Sequence, residues 1–353
     1  MTKRLLVFVL AALCLGSEVT SPQHTPAPLV GFSYSPLIAW QANRDPHEDL
    51  RRLLDATNAD LVRLPIYWEL VQPMPDAQLD FSSVDSLIDV VKTYNTETGR
   101  HAQVVLTIGA RNFLYPELHQ PAWVGDRAQP VIGAAQAGLA YRTYFKTSIT
   151  RYRSSPLLYA WQVENEGFDT VVNDYTGEDE ITDQQMKWEV DTVHGLDPLH
   201  QVVVTTYSAL NPTFDLLNHY APPLAWLIGV ASGHPNQALA AGDAFGLDLY
   251  IDGPHIPWRD FTSVELRTHW KQQTLALWSD VAHSEGKQLW IAEAQAQPWS
   301  DEVSFTPQDL VNSAIDYREA RVDVVLLWGV ETWLEDDRWF AAGMKASQIL
   351  RAP

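Results

Sequence analysis

Leu157-Leu-Tyr-Ala-Trp-Gln-Val163 decides the fold, and Glu164-Asn-Glu166 follows it directly. Six of these seven residues are apolar or aromatic, and they do not alternate with polar ones. A strand that reads so is covered on both faces, the condition of a parallel sheet wrapped in helices. Acidic residues at the end of such a strand are costly unless the site uses them.

The same unit recurs on both sides. Upstream stand Leu29–Tyr34, Asp60–Pro65 and Gln103–Gly109; downstream stand Gln201–Thr206, Ala244–Tyr250, Gln288–Glu293 and Val322–Trp328. Amphipathic stretches lie between them. Asp45-Pro46 opens one helix, with Asp as cap and Pro in the first turn, and Leu50, Leu53 and Leu54 as its stripe. Others are predicted from Ser83, within Val131–Arg153, near Asp183–Val193, over Ser263–Glu285 with a stop at Gly286, and over Arg338–Leu350. Tyr207–Asp243, with four prolines, mixes loop and helix. Eight strand-helix units predict an α/β chain closed as a (β/α)8 TIM barrel. The rival is an open doubly wound sheet. It would carry a glycine-rich phosphate loop after the first strand, where this chain has Ser33-Tyr-Ser-Pro-Leu37.

Of the 353 residues, 46% are hydrophobic, and the formal net charge is −20. That balance gives no basic surface for nucleic acid. Lys3-Arg4, the apolar run Leu5–Leu15 and Gly16-Ser17 have the pattern of an export signal. The run is shorter than the ~20 residues of a membrane span. A buried N-terminal helix is the alternative. We expect a signal over residues 1–21, a linker over 22–28, a catalytic domain over 29–353, and a secreted or periplasmic protein. Leu13, before the single cysteine Cys14, stands where a lipoprotein signal carries a small residue and speaks against a lipid anchor.

Catalytic residues of such barrels sit at the C-terminal ends of strands. That rule selects Arg63, Asn165, Glu166, Tyr250, Glu293 and Trp328. Strands four and seven face each other across a barrel mouth, so Glu166 and Glu293 can oppose one another. Two opposed carboxyl groups are what glycosidic cleavage needs, one as proton donor and one as nucleophile. Arg63 and Tyr250 suit an ionised nucleophile, and the Trp328 ring suits the apolar face of a sugar.

These residues resemble a known group. Tyr159-Ala-Trp-Gln-Val-Glu-Asn-Glu-Gly167 resembles the strand-four signature of the clan A glycoside hydrolases, and its Gln-Val-Glu-Asn-Glu is similar to that of retaining β-galactosidases. The resemblance implies that Glu166 is the acid/base and that Asn165 binds the sugar 2-hydroxyl. Leu289–Ala294 resembles the segment bearing the nucleophile, here Glu293. Asp60–Trp68 is similar to the arginine segment, Gly246–Tyr250 to the segment whose tyrosine bonds the nucleophile, and Leu326–Trp328 to the strand-eight tryptophan. It implies a β-linked carbohydrate substrate; no cofactor, metal or obligatory protein partner is inferred. Two departures stand out. Gly109-Ala-Arg111 lies where several clan families carry histidine, and Gly167-Phe-Asp169 does not match the Tyr-Gly of the β-galactosidases.

Other residues stay open at this level. Trp161, Trp278 and Trp290 read as core. Trp68, Trp123, Trp299 and Trp333 follow strands and line sugar subsites or pack as core. His119 and His255 fall in mouth-side loops, and Glu164 supports the site or pairs beneath it. The 11 histidines show no zinc spacing. A non-catalytic sugar-binding barrel, a metal-dependent hydrolase and a transglycosylase with the same pair are the competing readings.

Overall fold

The computed structural model describes residues 27–124, 135–169, 181–228, 230, 233–253, 256, 258–299 and 305–352. The predicted signal and most of the linker lie outside them. Eight parallel strands close in sequence order: β1 (Leu29–Ser33), β2 (Leu61–Pro65), β3 (Gln103–Ile108), β4 (Leu158–Val163), β5 (Gln201–Tyr207), β6 (Ala244–Leu249), β7 (Gln288–Gln295) and β8 (Val324–Trp328). β8 returns to β1, with Leu29 opposite Val324. The barrel is the predicted one, and the open sheet is excluded.

Strand alternation divides each strand between two cores. Outward residues such as Val62 and Leu64 join the large core under the helices. Inward residues Leu61, Val105, Ala160, Val203, Ala244, Trp290, Val324 and Leu326 form a separate plug. On β2, Arg63 is two residues beyond Leu61, so it also points inward, one layer nearer the mouth. Gly31 is required where β1 passes β2: a Cβ there would sit 2.2 Å from the Leu61 carbonyl oxygen.

Helix ends follow the residues expected to set them. Asp45 accepts the His47 N–H at 2.8 Å before the helix Pro46–Thr57. Ser263 caps Val264–Ser284, and Gly286 turns the chain at φ +74°. The proline-rich stretch folds as three short helices, Pro212–Tyr220, Pro222–Leu227 and Pro235–Ala241, each begun by its proline. The helix Pro307–Glu319 was not predicted, although its signals are present. Thr306 and Asp309 form a reciprocal capping box around Pro307. Among the described residues no helix is long and apolar enough to cross a membrane.

Candidate active site

Arg63 is fully buried and holds three strands together. Its Nε donates to Ser33 Oγ at 2.8 Å, Nη1 to Gln162 Oε1 at 2.9 Å, and Nη2 to Glu293 Oε1 at 2.8 Å. The Phe113 ring lies 4.2 Å from its guanidinium carbon. Tyr250 donates its hydroxyl to the other Glu293 oxygen. Both Glu293 oxygens thus have donors, one of them charged. Burial leaves this carboxyl raised, and Arg63 and Tyr250 offset part of that rise.

Glu166 faces Glu293 from the turn after β4. An oxygen of each, together with one of Asp248, lies within 4.8 Å of the others. The Glu166 main chain is pinned: its N–H donates to Thr205 Oγ1 at 3.0 Å, and its carbonyl accepts from Arg111 Nη1 at 3.0 Å. Its side chain has no hydrogen-bond donor among the described residues. Burial, then the charges of Glu117, Asp169, Asp248 and Glu293, push this carboxyl well above the carboxylate range. The two glutamates therefore differ in kind. Glu166 is set to carry a proton and Glu293 is furnished to carry charge.

The turn that presents Glu166 is built by Glu164. Both residues adopt left-handed backbone, at φ +55° for Glu164 and +48° for Glu166, a conformation uncommon outside glycine. Buried Glu164 accepts the Ala110 and Arg111 N–H groups at 3.0 and 2.6 Å and the Tyr141 hydroxyl at 3.0 Å. It supports the site through the loop after β3, and the hydrogen bonds its carboxyl accepts among the described residues come from that loop and from Tyr141. Gly109, at φ +147°, makes room, because a Cβ there would sit 2.4 Å from the Glu164 carboxyl carbon. Gly109→Ala should therefore lower stability by about 2–4 kcal/mol. A denaturant melt unchanged from the parent would show that the loop yields.

Gln162 links the pieces. Its Oε1 accepts from Arg63, and its Nε2 donates to Asn165 Oδ1 at 2.9 Å. That orients the Asn165 amide and leaves its buried Nδ2 without a well-formed hydrogen bond. Asn165 stands beside Glu293 and Glu117. Glu117, on the loop after β3, has a buried Oε2 without partner, and its carboxyl is pushed up to about 8 by burial. Asp169 is pushed up to about 7, although Thr206 Oγ1 and the Tyr207 N–H donate to it.

Trp328 donates its indole N–H to the Phe113 carbonyl at 2.8 Å and stacks on Trp299 with centroids 5.8 Å apart. Its ring also meets the edge of Tyr250. The two tryptophans wall a cavity of about 460 Å³, with Ser33, Phe113, Tyr115 and Glu331 among its lining. Neither Glu166 nor Glu293 lines this cavity; Trp328 packs on Tyr250, which in turn bonds Glu293.

The structure thus brings together all six predicted site residues. It adds Gln162, Thr205, Arg111, Glu117 and Asp248, which the sequence reading did not place in the site. Trp161, Trp278 and Trp290 are core, as expected. Of the four open tryptophans, Trp68 and Trp333 are buried core and line no subsite. Trp68 packs among Tyr141, Tyr144 and Trp123, and Trp333 donates to the Ala296 carbonyl. Trp123 is half-buried and donates to the Gln72 carbonyl. His119 is structural, held between Glu69 and the Leu114 carbonyl and packed on Tyr67. His255 lies outside the described residues. The Glu166, Asp248 and Glu293 oxygens are close enough to ligate a cation. Arg63 and Tyr250, however, already occupy both Glu293 oxygens, a donor set suited to an anion.

No family model and no curated protein sequence matches this chain. Solved structures do. The GH5_18 protein of Streptomyces cattleya, solved with GlcNAc, superposes with a TM-score of 0.66 at 15% identity, over 93% of this chain and 80% of that one. The β-galactosidase of Marinomonas ef1 gives 0.57 at 13% identity, over 90% and 59%. Xylanase 10B of Thermotoga petrophila RKU-1, solved with xylobiose, gives 0.52 at 12% identity, over 85% and 81%. These neighbours are clan A glycoside hydrolases, the group whose motifs the sequence resembles. At such identities the likeness is one of fold.

Proposed function

We propose that this chain is a retaining β-glycosidase that acts by double displacement, with Glu166 as acid/base and Glu293 as nucleophile. One observation carries the proposal: an oxygen of one carboxyl group lies within 4.8 Å of an oxygen of the other, while of the two only Glu293 has donors on its oxygens among the described residues. Retaining enzymes hold their carboxyl groups about 5–5.5 Å apart, and inverting ones about 6.5–9.5 Å, to admit a water. The short separation supports direct attack on the anomeric carbon.

The sugar lies between the pair, its apolar face on Trp328. The Nδ2 of Asn165 donates to its 2-hydroxyl. Glu166 protonates the departing oxygen as Glu293 attacks; water, activated by Glu166, then releases the glycosyl-enzyme. The substrate is a β-linked oligo- or polysaccharide. A panel of aryl β-glycosides and β-glucan, mannan and galactan polymers, read for hydrolysis, tests the activity. A 2-fluoro glycoside of the accepted sugar should label Glu293, and a label on any other residue would overturn the assignment.

Export belongs to the same proposal. Protein recovered outside the cytoplasm of the native host should lack residues 1 to about 21 and hold no thiol, since Cys14 is the single cysteine. An intact mass that includes Met1 would contradict it.

A further inference from the structure

Asp248 lies on β6 two residues before Tyr250, so alternation turns both side chains into the barrel. It is fully buried, and neither carboxyl oxygen has a hydrogen-bond partner among the described residues. The double-displacement reading gives it no role. Yet one of its oxygens stands within 4.8 Å of oxygens of both Glu166 and Glu293.

The groups that face it come from every side of the mouth. Arg63 is on β2, Glu117 on the loop after β3, Glu166 and Asp169 after β4, Tyr250 just past the end of β6, and Glu293 on β7. Arg63 is the cation among its strongest electrostatic neighbours, and its described hydrogen bonds go to Ser33, Gln162 and Glu293. An ionised Asp248 would be stripped of water, without a donor, and pressed against other carboxylates. As a neutral acid it has an O–H to give, and oxygens of the two glutamates, within 4.8 Å, are acceptors it can turn toward.

We propose that Asp248 is a positioning residue for the glutamate pair: a neutral carboxylic acid that donates its hydrogen bond to whichever glutamate carries the negative charge. The proposal rests on the double-displacement reading. In the resting site Glu166 and Asp248 hold protons, and Glu293 is the anion. In the first step Glu293 bonds to the anomeric carbon, the glycosidic C–O bond breaks, and the Glu166 proton goes to the departing oxygen. The charge has now moved to Glu166. Arg63 cannot follow it, being bound on the Glu293 side. Asp248 has an oxygen within 4.8 Å of an oxygen of each and turns its O–H from one to the other. In the second step water gives its proton to Glu166 and its oxygen to the sugar, and the charge returns to Glu293. Asp248 keeps its own proton throughout.

Two substitutions and one spectrum test this. Asp248→Asn keeps a neutral N–H donor of the same shape, and Asp248→Val removes it. Losing the donor raises the pKa of the anion it served, so the acidic limb of kcat/KM should move to higher pH in Asp248→Val and hold its place in Asp248→Asn. The kcat of Asp248→Val should fall on the order of 10–100-fold, and Asp248→Asn should exceed it by about tenfold or more. If Asp248 is instead ionised, Asp248→Asn removes a negative charge and both limbs move to lower pH; that result overturns the proposal. So does an Asp248→Val profile with limbs and rate like the parent. Should Asp248→Val fail to fold, the Asp248→Asn limbs still decide. An infrared difference spectrum of the full chain at neutral pH, parent minus Asp248→Asn, needs no substrate. It should show loss of a protonated-carboxyl band; loss of a carboxylate band refutes the neutral acid. This readout stands even if no β-glycoside is cleaved, an outcome that would count against the glycosidase reading alone.

Discussion

Glu293→Ala should abolish turnover of every β-glycoside, activated or natural, with kcat/KM lowered on the order of 10⁴-fold or more. The leaving group should not matter, because the covalent intermediate cannot form without a nucleophile. Two features make this the largest effect expected. Both oxygens of Glu293 are held in place, by Arg63 at 2.8 Å and by Tyr250, and no other carboxyl group among the described residues has that pair of donors. Arg63 is also left buried without its charge partner, although Ser33 and Gln162 still accept from it. Loss of a partner from a buried ion pair costs about 3–5 kcal/mol where nothing else compensates. Glu293→Gln, which keeps two polar atoms near Arg63 and Tyr250, should melt closer to the parent and be as inactive. Azide added to Glu293→Ala should restore cleavage of an activated glycoside and give an α-glycosyl azide, since the anion then attacks from the side Glu293 occupied. Substantial activity of Glu293→Ala on a dinitrophenyl glycoside, without azide, would remove Glu293 from the role.

The strands were legible because their residues are buried on both faces, and so the apolar runs ended nearly where the strands do. β2 and β6 show the limit of that signal. Alternation says that Arg63 and Asp248 point inward with Leu61 and Ala244, yet it does not say what meets them across the barrel. Arg63 was legible through its likeness to a known segment. Asp248 was not, because the oxygens it faces come from β7 and from the turn after β4, in no fixed sequence relation to it. Gln162 is a similar case. It sits within a strand that reads as core, and among its side-chain bonds are ones to Arg63 and Asn165, 99 and 3 residues away. The tryptophans show the reverse error. Trp68 and Trp333 follow strands as subsite residues would, but the helical turns Trp68–Val71 and Val330–Glu335 rotate their rings into the core.

Glu166→Ala should behave differently from Glu293→Ala, and the contrast fixes the two roles. An acid is needed only when the departing oxygen is a poor leaving group. Natural substrates should therefore lose on the order of 10³-fold or more, while a dinitrophenyl glycoside of the right sugar still forms the glycosyl-enzyme. That intermediate should accumulate, because no base activates the water that releases it. Azide should speed its release and yield a β-glycosyl azide. The fold should tolerate the change: Thr205 and Arg111 hold the main chain of Glu166 and not its carboxyl group. Burial and four neighbouring carboxyl groups raise the pKa of Glu166 above its unfolded value. Its contribution to stability is thus full below the ordinary carboxylate pKa and is lost as pH rises through the raised one. Glu166→Ala removes that loss, so its stability should fall less than the parent's between mildly acidic and alkaline pH. The same raised pKa sets the basic limb of the parent's bell-shaped kcat/KM profile, and the limb should flatten in Glu166→Ala. Two results would go against the assignment. An α-glycosyl azide from Glu166→Ala would mean a single inversion. Loss of the activated substrate in Glu166→Ala, with its survival in Glu293→Ala, would exchange the roles of the two glutamates.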